Sequence, residues 1–112
     1  MINGGMLAIS WAKQHVPAIL EAWYPGQLGG LAIVNTLLGK NNPGGKTPIT
    51  WYPSSILDRD IHDMDLTSGD GLTHLYYTGE VIWPFGWYAN TVLRNNAAAP
   101  VLVCVRVCLN LC

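Results

Sequence analysis

The stretch Ala18-Ile19-Leu20-Glu21-Ala22-Trp23, followed by Tyr24-Pro25-Gly26-Gln27 and then Leu31-Ala32-Ile33-Val34-Asn35-Thr36-Leu37-Leu38-Gly39, decides the fold class. The first segment is a brief, nearly continuous apolar run, the length and texture of a strand buried on both faces. Tyr24 to Gln27 ends it as a turn, and Gly29-Gly30 leads onward. Leu31, Val34, Leu37 and Leu38 then fall at helical spacing, with Gly39 where a left-handed helix cap belongs. The order is strand, glycine turn, helix.

Downstream, Asn41-Asn42-Pro43-Gly44-Gly45-Lys46 is a dense turn cluster, and Thr47-Pro48-Ile49-Thr50-Trp51-Tyr52 is rich in β-branched and aromatic residues. This predicts a second strand, and with it a βαβ-like unit of the kind that belongs to a parallel sheet covered by helices. Upstream, Ser10 is placed to cap a short helix through His15 that stops near Val16, because Pro17 disfavours helical geometry before it. Pro53 to Gly71 turns to Ser, Asp and Gly and reads as a long surface loop, and Tyr76 to Trp83 reads as a hairpin about Thr78-Gly79. From Val101 to Cys112 aliphatic residues alternate strictly with Leu102, Cys104, Arg106, Cys108, Asn110 and Cys112, a strand pattern of period two and an aggregation hazard. The fold class is therefore α/β, a βαβ-like unit with a loop and a hairpin, and since two strands do not make a domain it is expected to be an incomplete one.

The composition agrees with incompleteness. The 112 residues are 50% apolar and 12% charged, about half the charge of an ordinary soluble domain, so covering the chain's own surface is difficult. Five Trp and five Tyr exclude a disordered chain. Six basic against seven acidic residues, without a basic cluster, disfavour a nucleic-acid partner. Met1 to Gly5 lacks the basic start and apolar stretch of a signal peptide, and Glu21 to Lys40, interrupted by Pro25 and four glycines, is a poor membrane span. Cys104, Cys108 and Cys112 are an odd, crowded set that defines neither a disulfide framework, nor a zinc site, nor a redox compartment.

Several motifs, in order, resemble a known family. Ala18 to Gly30, Ala32-Ile33, Leu38-Gly39 and Asn42-Pro43-Gly44-Gly45-Lys46-Thr47-Pro48-Ile49-Thr50-Trp51-Tyr52-Pro53 resemble the second, α/β sandwich domain of glycoside hydrolase family 3. Ile9-Ser10-Trp11-Ala12-Lys13 resembles the stretch before that strand in β-xylosidase-type members. Tyr76-Tyr77-Thr78-Gly79-Glu80 and Trp83-Pro84-Phe85-Gly86 resemble the family's later motifs. The resemblance covers residues 9–88 and leaves 1–8 and 89–112 as non-matching ends. His74-Leu75 stands where an aromatic-arginine pair is common, and the segment after Tyr88 departs from the family altogether, so the tail is expected to be out-of-frame or misjoined coding sequence.

The resemblance implies retaining hydrolysis of terminal β-D-xylosyl or β-D-glucosyl residues from oligosaccharides, without a cofactor, in an enzyme with a barrel domain and commonly secreted. Retaining hydrolysis needs two carboxyl groups about 5 Å apart. No residue here matches the family's nucleophile or acid/base motif, so no catalytic residue is assigned, and the chain is expected to be inactive alone. The alternative is a non-catalytic carbohydrate-binding or subunit-completing module.

The remaining candidates carry a functional and a structural reading each. Glu21, among apolar neighbours, has the setting of a raised-pKa acid; a strand carboxylate with a hydrogen-bond partner is the stronger reading, and Glu80 in a turn is weaker still. Asp58-Arg59-Asp60-Ile61-His62-Asp63-Met64-Asp65 is oxygen-rich but lacks the Gly and Glu of a calcium loop, which favours a solvated turn. Gly26, Gly29 and Gly30 fit neither dinucleotide nor Walker spacing and answer a backbone need. Trp23, Trp51, Trp83, Trp87, Tyr24 and Tyr52 have the chemistry to stack on sugars, but core or interface burial is the commoner fate. Tyr24 to Gln27 lies where open α/β sheets place ligands.

Overall fold

The computed structural model describes residues 1–87 and the backbone of 101–104. In chain order it contains α1 (Ser10–His15), β1 (Ala18–Glu21), α2 (Gly29–Leu37), a 3-10 turn (Ser54–Asp58), α3 (Thr73–Tyr76) and β2 (Val101–Cys104). The class is α/β, as expected.

Strand β1 forms where the apolar run predicts it, but it is not buried on both faces. Ile19 and Glu21 are buried, Leu20 is half-buried and Ala18 is exposed. With period-two side chains, one face meets the core and the other lacks a full covering layer. Helix α2 does not supply that layer: Leu31, Val34, Leu37 and Leu38 are 49–71% exposed. The helix nevertheless ends as its sequence dictates. Gly39 has φ +68°, its N–H donates to Thr36 O at 3.1 Å, and Lys40 N donates to Asn35 O at 2.8 Å. Those paired bonds are the Schellman arrangement, and they satisfy carbonyls the helix would otherwise orphan.

The second strand of the expected βαβ unit is absent as such. Residues 47–52 touch residues 82–87 instead, through one antiparallel bridge, Trp51 with Trp83, and a clasp around Thr47. Trp51 N donates to Trp83 O at 2.8 Å and Ile82 N to Trp51 O at 2.7 Å; Thr47 N donates to Trp87 O and Gly86 N to Thr47 O, both at 2.8 Å. Pro48 lies between the two contacts and has no N–H to continue a ladder. The Thr47 hydroxyl completes the clasp by donating to Pro84 O at 2.6 Å and accepting from Trp87 N at 2.9 Å. Gly86, at φ +74°, occupies the left-handed place of a turn closed by Trp87 N to Pro84 O.

The parallel partner of β1 is β2, in the register Ala18 with Val101 through Glu21 with Cys104. The tail, expected to be foreign to the domain, thus contributes the strand that its alternation predicts over Val101–Cys104. Cys108 and Cys112 lie outside the described residues. The hairpin about Thr78-Gly79 is also replaced: Thr73–Tyr76 is one helical turn, and Thr78 N reaches back to Asp70 O at 2.9 Å. Ser10 is the first residue of α1 rather than its cap. Lys13 N bonds to Ile9 O at 2.9 Å, closing the first turn one residue early, and no side chain caps it.

The core is aromatic. Ile19, Trp51, Ile82 and Trp83 form its buried centre, with Ile9, Ala12 and Val16 laid against it at helical spacing from α1 and its flanks. Trp51 and Trp83 meet edge to face at 5.5 Å, and Trp23 meets Trp51 the same way at 6.0 Å. Such geometry sets the electropositive ring edge against the electronegative face. Lys13 adds to the seal, donating to Ile82 O while its ammonium sits 5.6 Å from the Trp83 ring.

Candidate functional site

The end of β1 gathers the chain's most constrained chemistry. Glu21 is fully buried. Its Oε1 accepts from Trp23 N at 2.8 Å, while Oε2 is buried with no hydrogen-bond partner. Burial pushes the carboxyl's pKa up, because the charged form loses water, and backbone N–H groups of Trp23 and Ala22 with the chain's amino terminus offset only part of that. The next turn is strained. Trp23 has φ +54°, a left-handed conformation that costs a bulky residue about 1–2 kcal/mol. The Glu21 bond to its N–H and the contact of its ring with Trp51 hold it there.

The glycines that follow are backbone requirements. Gly26 takes φ +68°, and a Cβ on Gly29 would lie 2.4 Å from Pro25 Cγ. Gly30 has open space around it. Tyr24 stands 77% exposed beside Gly4, whose missing side chain makes room for the phenol ring.

Glu80 is elsewhere, on the wall of a cavity of about 470 Å³ with Lys13, Gln14 and Ile82. No second carboxylate lines that cavity. The structure therefore brings Glu21, Trp23 and Trp51 together and leaves Glu80 apart.

The acidic loop closes on Arg59. Its guanidinium donates to Ser68 O at 2.6 Å, to Asp65 O, and to Asp63 O at 3.4 Å, and pairs with the Asp63 carboxylate at 3.0 Å. Asp60, Asp63 and Asp65 each accept a backbone N–H two residues onward, from His62, Asp65 and Thr67. Asp63 and Asp65 are held below the usual carboxylate range, chiefly by those backbone bonds. These oxygens are engaged in shaping the loop, and the described residues contain no group of three or more His, Cys, Asp or Glu arranged to hold a metal ion. Arg59 as organiser was hidden in the sequence by the acidic residues around it.

Of the aromatic candidates, Trp51, Trp83 and Tyr52 are buried, Trp23 is half-buried, and Trp87 and Tyr24 are exposed. No helix among the described residues is long and apolar enough to cross a membrane.

The model of the glycosyl hydrolase family 3 C-terminal domain matches residues 1–91. The chain belongs to that family. Beta-D-xylosidase 1 of Arabidopsis thaliana is 42% identical over 98% of this chain, and Beta-xylosidase/alpha-L-arabinofuranosidase 1 of Medicago sativa subsp. varia is 35% identical over 94% of it. Xylan 1,4-beta-xylosidase of Xylanibacter ruminicola is 36% identical over 76%. The matched segment spans 15% of each plant relative and 9% of the bacterial one.

Proposed function

We propose that this chain is part of a retaining β-glycosidase acting on terminal β-D-xylosyl or β-D-glucosyl residues, and that by itself it supports the structure of such an enzyme without performing the hydrolysis. The reading rests on one observation above the others: the similarity to β-xylosidases runs along most of the chain yet occupies about a seventh of their length. The chemistry agrees. Hydrolysis with retention needs a carboxylic acid and a carboxylate facing one glycosidic bond. Glu21 has the raised pKa of an acid but is sealed from solvent, Glu80 has no carboxylate across its cavity, and Asp63 and Asp65 are held ionised. The substrate of the intact enzyme would be an oligosaccharide and its partner domain a barrel. Purified chain incubated with 4-nitrophenyl β-D-xyloside or β-D-glucoside is expected to release no 4-nitrophenol above the uncatalysed rate; steady release overturns the reading.

The apolar stripe left open on α2, Leu31, Val34, Leu37 and Leu38, favours a second role as a subunit-completing module. Exposed apolar stripes of this kind mark surfaces that another element covers. Co-expression with Arabidopsis Beta-D-xylosidase 1 lacking the matched segment tests it. Co-elution with restored xyloside cleavage supports completion; separate elution and no activity reject it.

A further inference from the structure

Strand β2 pairs with one edge of β1. The other edge seats a single residue among those described. The Met1 amino group donates to Leu20 O, and Ala22 N donates to Met1 O at 3.0 Å. Those two bonds straddle Glu21 and are the pattern of parallel strands, with Met1 opposite Glu21. Backbone groups of a strand point alternately to its two sides, so Leu20 N–H and Ala18 C=O face the same edge as the two groups that Met1 engages. Among the described residues no hydrogen bond reaches Leu20 N or Ala18 O from that side. Ala18 is exposed and Leu20 half-buried, which leaves this length of edge open to pairing.

Three observations define what fits there. The Met1 bridge sets direction: a further strand runs parallel to β1 with its C-terminal end toward Met1. The neighbours set texture, because Ala18, Ile19 and Leu20 are all apolar and side chains of paired strands lie beside one another. The Met1 ammonium sets the end. It is exposed, and among the described residues no carboxylate forms an ion pair with it. A residue placed opposite Ile19 donates its N–H to Ala18 O. If its own carbonyl belongs to a terminal carboxylate, one oxygen accepts from Leu20 N–H while the other faces the ammonium.

We propose that this edge captures the C-terminal segment of another protein: an extended, apolar, β-branched strand ending in a free carboxylate, laid parallel to β1 beside Ala18 to Leu20. Main-chain bonds to the sheet edge hold it, and the charge at its end fixes its register. The inference stands apart from the glycosidase reading, and neither result below bears on that reading.

The 112-residue chain, labelled with ¹⁵N, is titrated with acetyl-Lys-Thr-Val-Val-Val bearing a free carboxylate and followed by amide chemical shifts. Saturable shifts centred on Leu20 and its neighbours in β1 are expected, with exchange of the Leu20 amide slowed at least about tenfold at saturation. The same peptide ending in a carboxamide is expected to bind about fivefold more weakly, as loss of an exposed ion pair predicts. Leu20→Pro removes the edge N–H at a place where a strand tolerates proline, so it is expected to keep the near-ultraviolet signal of the tryptophan core and lose the peptide. The exchange measurement carries the same test without a variant. Absence of a saturable Leu20 shift overturns the proposal. So does equal binding of the carboxamide, undiminished binding by folded Leu20→Pro, or shifts centred on Leu31, Val34 and Leu37 instead. Concentration-dependent shifts of the β1 amides without peptide would seat a second copy on the edge and overturn it as well.

Discussion

Helix α2 and the tryptophan core are opposites in how sequence becomes structure. The helix is specified locally: apolar spacing, a glycine entry and the Gly39 cap suffice to form it, although its apolar stripe stays exposed. The core is specified by distant contacts. Trp51 belongs to a segment that reads as a strand, yet what it forms is one bridge and a ring cluster with residues far along the chain. The helix teaches that backbone hydrogen bonds and caps draw an element whether or not it is buried, and the core that burial gives a chain its cohesion. A domain that keeps an apolar helix face in water has its stability concentrated on the other side.

The largest effect that can break this contrast is Trp51→Ala. It removes a fully buried indole and two edge-to-face contacts, and is expected to cost about 3–5 kcal/mol. Urea unfolding followed by near-ultraviolet circular dichroism measures it; a loss under 1 kcal/mol would move the core elsewhere.

Next is the pH response at the end of β1. The Glu21 pKa is raised in the folded chain above the ordinary carboxyl value of 4.5, so the folded state binds the proton more tightly. Its contribution is complete below about 4.5 and is lost as pH rises through the higher folded value. Asp63 and Asp65, lowered from 3.8, act with the opposite sign, their contribution disappearing as acid protonates them. Glu21→Gln is expected to flatten the decline on the high-pH side and leave the acid limb unchanged. Melting temperatures measured across pH check both limbs, and an unaltered high-pH slope in the variant assigns that decline to another group.

Smaller again is Gly39→Ala, expected to cost about 1–2 kcal/mol because a Cβ meets strain at φ +68°. Helical circular dichroism should fall with it. Smallest is Leu37→Ala on the exposed stripe, expected to change stability by no more than about 0.5 kcal/mol in the isolated chain. If Leu37→Ala proved as damaging as Trp51→Ala, the helix would be covered in solution and the contrast would collapse.

What was legible in the sequence divides along the same line. Strand β1, helix α2 and its glycine cap follow from local pattern and were readable within a residue or two. The pairing of β1 with Val101–Cys104 was not, because period-two alternation specifies a strand and says nothing of its neighbour. Thr47 to Tyr52 carried the β-branched and aromatic signature of a strand, but Pro48 and the Thr47 clasp limit it to isolated contacts. Around Glu21, the carboxylate's burial was foreseeable from its apolar neighbours. The left-handed turn at Trp23 was not, since nothing in an aromatic side chain announces a positive φ.

The edge-to-face stack of Trp51 on Trp83 also makes the protein its own optical probe. Two indoles 5.5 Å apart at 83° couple their electronic transitions, and an asymmetric pair of coupled chromophores rotates light in a way that separated ones do not. The exciton signal belongs to the assembled core alone, whereas exposed Trp11 and Trp87 contribute only background. Loss of that signal therefore times the opening of the core separately from the fraying of α2, without a label being attached to either.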